Sequence, residues 1–79
     1  MARVLLFGRL SDVAGWRERQ VDSPFLSALR AKLAAEDGAL GEALAGPGVQ
    51  VALDQLIVRG DAPLNARTEV AFLPPMSGG

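Results

Sequence analysis

The segment Leu73-Pro74-Pro75-Met76-Ser77-Gly78-Gly79 at the end of the sequence holds its most chemically useful group, the α-carboxylate of Gly79. Gly78 and Gly79 have no side chains, so this carboxylate can enter a narrow channel and come close to another protein's reacting atoms. Ahead of them, Pro74 and Pro75 favour a stiff, extended lead that directs Met76 and Ser77 away from the preceding structure. A carboxylate is ionised at neutral pH and is a poor electrophile, so it must be activated before it reacts. Transfer to ATP as an acyl-adenylate supplies a leaving group, after which a sulfur nucleophile can give a thiocarboxylate at Gly79.

The rest of the chain offers little to carry out that activation. Among 79 residues there is no histidine and no cysteine. The commonest general base at neutral pH is therefore missing, and a zinc site would have to be built from carboxylates alone. No metal site and no self-contained hydrolase are expected. Eight basic and nine acidic residues leave a net charge of −1 with no long run of either sign, which argues against a phosphate-tracking surface and against nucleic-acid binding. The apolar run near Met1 is too short for a signal peptide or a spanning helix. The chain reads as a soluble cytoplasmic protein with no membrane partner. Its length suits one domain, a single sheet packed on one or two helices.

Residues 3–10 are rich in Val, Leu and Phe and read as a central strand. Ser11 to Gly15 reads as a turn, and residues 17–22 as a polar edge strand whose charges discourage unwanted pairing. Ser23-Pro24 looks like a helix start, with serine as N-cap and proline in the first helical position. The helix should run to about Glu36. It buries Phe25, Leu26, Leu29 and Leu33, while Arg30, Lys32 and Glu36 point away. Asp37-Gly38 closes it, and a second short helix over 39–45 precedes the break at Gly46-Pro47-Gly48. Strands follow at 49–53 and 56–59, separated by Asp54-Gln55, and a turn at residues 60–63 leads on. The last strand, 68–73, ends at prolines that cannot extend a ladder through their own nitrogens. The pattern predicts an α+β fold of the ubiquitin-like β-grasp type. It has a mixed sheet of four to five strands and one main helix on one face, spanning 1–73, with 74–79 as a flexible tail.

Side chains alternate along a strand, so polar residues mark the wet face. Arg3 and Arg9 assign Leu5 and Phe7 to it, leaving Val4, Leu6 and Leu10 for the core. Glu69 assigns Ala71 and Leu73 to the wet face and sends Val70 and Phe72 inward. Arg59 brings Ile57 with it, with Leu56 and Val58 inward. Phe7, Ile57 and Leu73 are thereby expected to form an exposed apolar patch with a polar rim, suited to docking and close to the emerging tail.

With these features in hand, the chain resembles a known family. The run Val4-Leu5-Leu6-Phe7-Gly8-Arg9-Leu10 is similar to the opening strand, and residues 69–79 to the closing signature, of the small subunit of molybdopterin synthase. That subunit belongs to the MoaD-like branch of the ubiquitin-like sulfur carriers. The resemblance implies that an E1-like adenylating enzyme, using ATP and magnesium, activates Gly79, and that a sulfur-donating protein supplies the sulfur of its thiocarboxylate. It also implies a hetero-oligomer with the large synthase subunit. There the tail, Pro74 to Gly79, lies in that subunit's active site and sulfur passes to cyclic pyranopterin monophosphate. Family positions matching Phe7, Ile57 and Leu73 are apolar partner contacts. This chain departs from the family in having Ser11-Asp12 where an Arg-Glu pair is common, and Arg67-Thr68 where a Gly-Asp turn is common. Two other readings fit the same residues: a carrier for thiamin, cysteine or tungsten-cofactor synthesis, and a protein modifier or plain interaction module.

Overall fold

A computed structural model describes residues 1–75. Along the chain it has β1 (Ala2–Leu6), α1 (Arg9–Ala14), β2 (Glu18–Val21), α2 (Leu26–Glu36), α3 (Gly38–Leu44), β3 (Gln50–Leu53), β4 (Leu56–Val58) and β5 (Glu69–Leu73). The strands form one sheet in the order β2-β1-β5-β3-β4. β1 and β5 run parallel, and the other neighbours are antiparallel. The sheet is mixed and the fold is a ubiquitin-like β-grasp. β5 lies in the middle, so the chain leaves the sheet from its centre.

One face of the sheet carries the core. Val4 and Leu6 of β1, Val70 and Phe72 of β5 and Val51 of β3 are buried there with Leu26, Leu29 and Leu33 of α2 and Leu40 and Leu44 of α3. Phe72 has no exposed surface, and the Arg30 guanidinium sits 5.8 Å from its ring centroid. Arg30 also donates to the Leu44 carbonyl at 3.0 Å. It therefore ties α2 to the end of α3 and does not point away as its charge suggested; its stem covers apolar surface while its head finds a carbonyl.

Several local expectations are corrected. The opening strand stops at Leu6, because Gly8 turns the backbone at φ +54° and Ser11 Oγ donates to the Gly8 carbonyl at 2.7 Å. The turn expected at 11–15 is helix α1, which delivers Leu10 to the core from a helix instead of a strand. Next, α2 begins at Leu26 and Ser23 does not cap it; its Oγ lies 3.3 Å from the Phe25 carbonyl. Phe25 and Pro63 form a β-bridge and Leu64 N–H donates to the Pro24 carbonyl at 2.9 Å. This pairing holds residues 24–25 extended and leaves Phe25 49% exposed. Finally, Leu56 is 72% exposed despite its inward parity. It pairs with Leu53 at the hairpin end, beside Asp54 and Gln55 at φ +49° and +71°.

The helix ends are satisfied from elsewhere in the chain. Asp61 accepts from Ser27 N–H and from Ser27 Oγ, both at 2.7 Å, and the Ala62 carbonyl accepts from Leu26 N–H at 2.9 Å. The orphan donors at the start of α2 are thus met by the loop before β5. Asp37 ends α2 and caps α3, accepting from Ala39 and Leu40 N–H groups at 3.1 and 3.2 Å. No helix among the described residues is long and apolar enough to cross a membrane.

Candidate docking face and tail

The sheet face opposite the helices is open. Register places Leu5 opposite Ala71, Ala71 opposite Ala52, and Ala52 opposite Ile57, one continuous row across β1, β5, β3 and β4. Three strand spacings of about 4.8 Å make this row roughly 14 Å wide. Both alanines are only 6% exposed. Small side chains at the centre, shaded by larger ones at the sides, give a shallow floor. Phe7 follows β1 at its upper end, its N–H donating to the Phe72 carbonyl at 3.3 Å, and Leu73 pairs with Gln50 in the next row.

This face carries the residues that side-chain alternation assigns to the wet side. Phe7 is 45% and Ile57 50% exposed, and Leu73 is half-buried. Alternation assigns Leu5 and Ala71 to this face as well, but does not mark them, or Ala52, as site residues. The missing signal was pairing: only the register shows that Ala52 links Ala71 to Ile57. The lower end of the face is polar. Arg3 reaches Glu18 at 3.5 Å and Glu69 at 3.3 Å, a surface cluster worth little stability that bounds the apolar row. Arg9 does not join this rim, because it lies on α1.

At the other end, β5 stops at Leu73 and the chain continues through Pro74, half-buried, and Pro75, exposed. The prolines also line an apolar groove of about 510 Å³ on the helical side, with Leu10 and Val13 of α1, Ala43 of α3 and Val49. The remaining predicted site residues, Met76, Ser77, Gly78 and Gly79, lie outside the described residues. Among the described residues no group of three or more Asp or Glu converges where a metal ion could sit. Asp61 has its carboxyl below the ordinary value of 3.8, chiefly through the Ser27 hydroxyl, then the Ser27 N–H, with a smaller contribution from Ala62 N–H against a cost of burial. Its partners are those of a helix cap, far from the tail in role.

The two family departures have structural explanations. Ser11 and Asp12 lie in the first turns of α1, with Asp12 N–H directed at the Gly8 carbonyl at 3.4 Å. Before β5, Thr68 Oγ1 accepts from Asn65 N–H at 2.9 Å and Asn65 Oδ1 accepts from Arg67 N–H at 2.7 Å. Side-chain hydrogen bonds close this turn without a Gly-Asp pair.

Residues 4–79 match the ThiS family. The chain belongs to this family. It is 36% identical over 81 residues to the molybdopterin synthase sulfur carrier subunit of Escherichia coli (strain K12), covering 100% of each chain. The resemblance drawn from the opening and closing segments thus extends along the whole sequence. Among solved structures it is similar to SAMP1 from Haloferax volcanii, with TM-score 0.81, 25% identity and 99% and 98% of the two chains covered. It also shares its fold with the small archaeal modifier protein 1 from Methanosarcina acetivorans, with TM-score 0.86, 20% identity and 99% and 95% covered.

Proposed function

We propose that this chain is the sulfur carrier of a molybdopterin synthase, a cytoplasmic subunit that is not catalytic by itself. The observation that carries this reading is the delivery of the tail. The central strand β5 ends in Pro74-Pro75 at the margin of an open apolar face, in a chain 36% identical throughout to a protein of that name. A partner seated on Phe7, Ile57 and Leu73 holds its active site where the tail arrives. Pro74 to Ser77 span the gap, and Gly78 and Gly79 enter.

In the proposed chemistry a Gly79 carboxylate oxygen attacks the α-phosphorus of ATP in an E1-like enzyme, which holds the magnesium, and pyrophosphate leaves. A sulfide-level nucleophile from the sulfur-donating protein then attacks the carbonyl carbon and AMP leaves with the electron pair of its bond, giving the thiocarboxylate. On the large synthase subunit that sulfur passes to cyclic pyranopterin monophosphate. Acid–base groups, metal and nucleotide site belong to the partners; this chain contributes the reacting atom and the docking face.

The test is intact mass after incubation with the adenylating enzyme, ATP, magnesium and a sulfur source. Replacement of one oxygen by sulfur adds about 16 Da at the terminus. An unchanged mass, with an enzyme shown to charge the Escherichia coli relative, contradicts the proposal.

A second reading has one specific support, the likeness to SAMP1 at 25% identity. Here a lysine amine of another protein attacks the carbonyl carbon of adenylated Gly79, AMP leaves and the amine loses a proton, giving an isopeptide-linked conjugate whose mass is that of the two chains less one water. A covalent conjugate that survives reducing denaturing electrophoresis separates this outcome from sulfur transfer. Recovery of a thiazole synthase in place of a synthase large subunit on an untagged-tail affinity column redirects the sulfur to thiamin synthesis.

A further inference from the structure

Gly8 and Gly48 lie on different turns, one after β1 and one before β3, the two strands that flank β5. Each faces one of the prolines that follow β5. A Cβ at Gly8 would lie 3.2 Å from Pro74 Cγ, and a Cβ at Gly48 2.7 Å from Pro75 Cβ. The second distance is deep inside the optimal 3.5–4.0 Å or so between carbons. A proline ring cannot swing aside as a long side chain would, because it is closed on its own backbone nitrogen.

Both glycines also have positive φ, +54° and +83°, which L side chains rarely adopt. Backbone conformation alone does not account for the pair. Gly15 and Gly60 have φ +82° and +84°, yet a Cβ at either meets nothing within 4 Å. Gly8 and Gly48 differ from them in what they face.

We propose that Gly8 and Gly48 are positioning residues: they seat Pro74 and Pro75 between the turns flanking β5 and so set the direction in which the tail leaves toward an enzyme's active site. This inference rests on the acyl-carrier reading for its purpose, though not for its geometry. Gly48 carries the larger effect, since its contact is the closer. Substituting it displaces Pro75, while leaving Phe7, Ile57 and Leu73 in place.

The test compares Gly8→Ala and Gly48→Ala with Gly60→Ala, which carries the same left-handed strain away from the prolines. In full-length protein, NMR contacts between the Pro75 ring and residue 48, with the Pro75 chemical shifts, are expected to change in Gly48→Ala, and contacts between the Pro74 ring and residue 8 in Gly8→Ala, while Gly60→Ala leaves both sets unchanged. In thiocarboxylate formation with the carrier as varied substrate, kcat is expected to fall roughly ten- to a hundredfold, as misplaced reacting groups cost elsewhere. KM stays within about twofold, because the docking contacts persist. Gly60→Ala keeps both constants. Adding Pro75→Gly to Gly48→Ala removes the opposing atoms and restores kcat to that of Pro75→Gly alone. Equal kcat in Gly48→Ala and Gly60→Ala, or unaltered Pro75 shifts in Gly48→Ala, overturns the inference. Should Gly48→Ala not fold, recovery of the folded spectrum by Pro75→Gly supports it and failure to recover overturns it. If the wild-type chain is never charged, the sulfur reading falls, while the NMR comparison still decides the seat.

Discussion

At 45% exposure, Phe7 contributes little to the core, so its replacement separates docking from folding. Phe7→Asp places a carboxylate in a contact that a partner must desolvate. We expect the dissociation constant for the large subunit to rise on the order of ten- to a hundredfold, with the melting temperature moving by no more than about 4 °C, as for other surface changes. Isothermal titration and thermal unfolding read the two effects, and unchanged affinity would argue against the patch. Deleting Gly79 has the complementary effect: partner binding persists while charging is lost, whereas a plain interaction module keeps its function. The patch was legible because Arg3, Glu69 and Arg59 mark the wet side of three strands. Leu56 was not, since alternation gives a side chain's direction and says nothing of whether a helix lies above it. Gly8 and Gly48 were equally hidden, because their neighbours are prolines far away in sequence.

Among the elements, the body and the end of α2 are legible in the sequence and its start is not. Leu26, Leu29 and Leu33 are buried because their spacing keeps them on one stripe, a property local to the helix. Its first turn is finished by Asp61, 34 residues after Ser27, and no local signal reports such a cap. Asp61→Ala is expected to lower the melting temperature at pH 7, where the wild-type carboxylate is ionised. The sign with pH follows from its lowered folded-state value. Its contribution is fully present above the ordinary value of 3.8 and is lost as pH falls through the lower folded one. The difference between wild type and Asp61→Ala should therefore shrink below about pH 4, as melting curves across pH 2–7 or so will show. A difference that grows in acid would contradict the cap. The six residues of α1 are too few for helical periodicity to emerge, and its strongest apolar residue, Leu10, also fits a strand, so the sequence there suggests a turn.

Across the whole molecule, the alternation of apolar and polar residues indicated an α+β sheet with one wet face, while the strand order β2-β1-β5-β3-β4 depended on long-range pairing that no short pattern contains. That order puts the last strand at the centre and Pro74 and Pro75 beside the turns that carry Gly8 and Gly48. It also makes Phe72, fully buried on β5, the anchor of the tail's point of departure. Phe72→Ala should destabilise the fold by about 3–5 kcal/mol, measured by urea unfolding, and a loss below about 1 kcal/mol would mean the core is not organised around β5. In the proposed function the molecule presents one reacting carboxylate and one docking face, so the property that decides it is transfer. The most direct measurement incubates the thiocarboxylated chain with the large synthase subunit and cyclic pyranopterin monophosphate while following both masses. The account predicts that the chain loses about 16 Da, returning to the carboxylate, as sulfur appears in the pterin product. A chain that binds the large subunit but keeps its sulfur, or that unloads only by joining a protein amine, would contradict it.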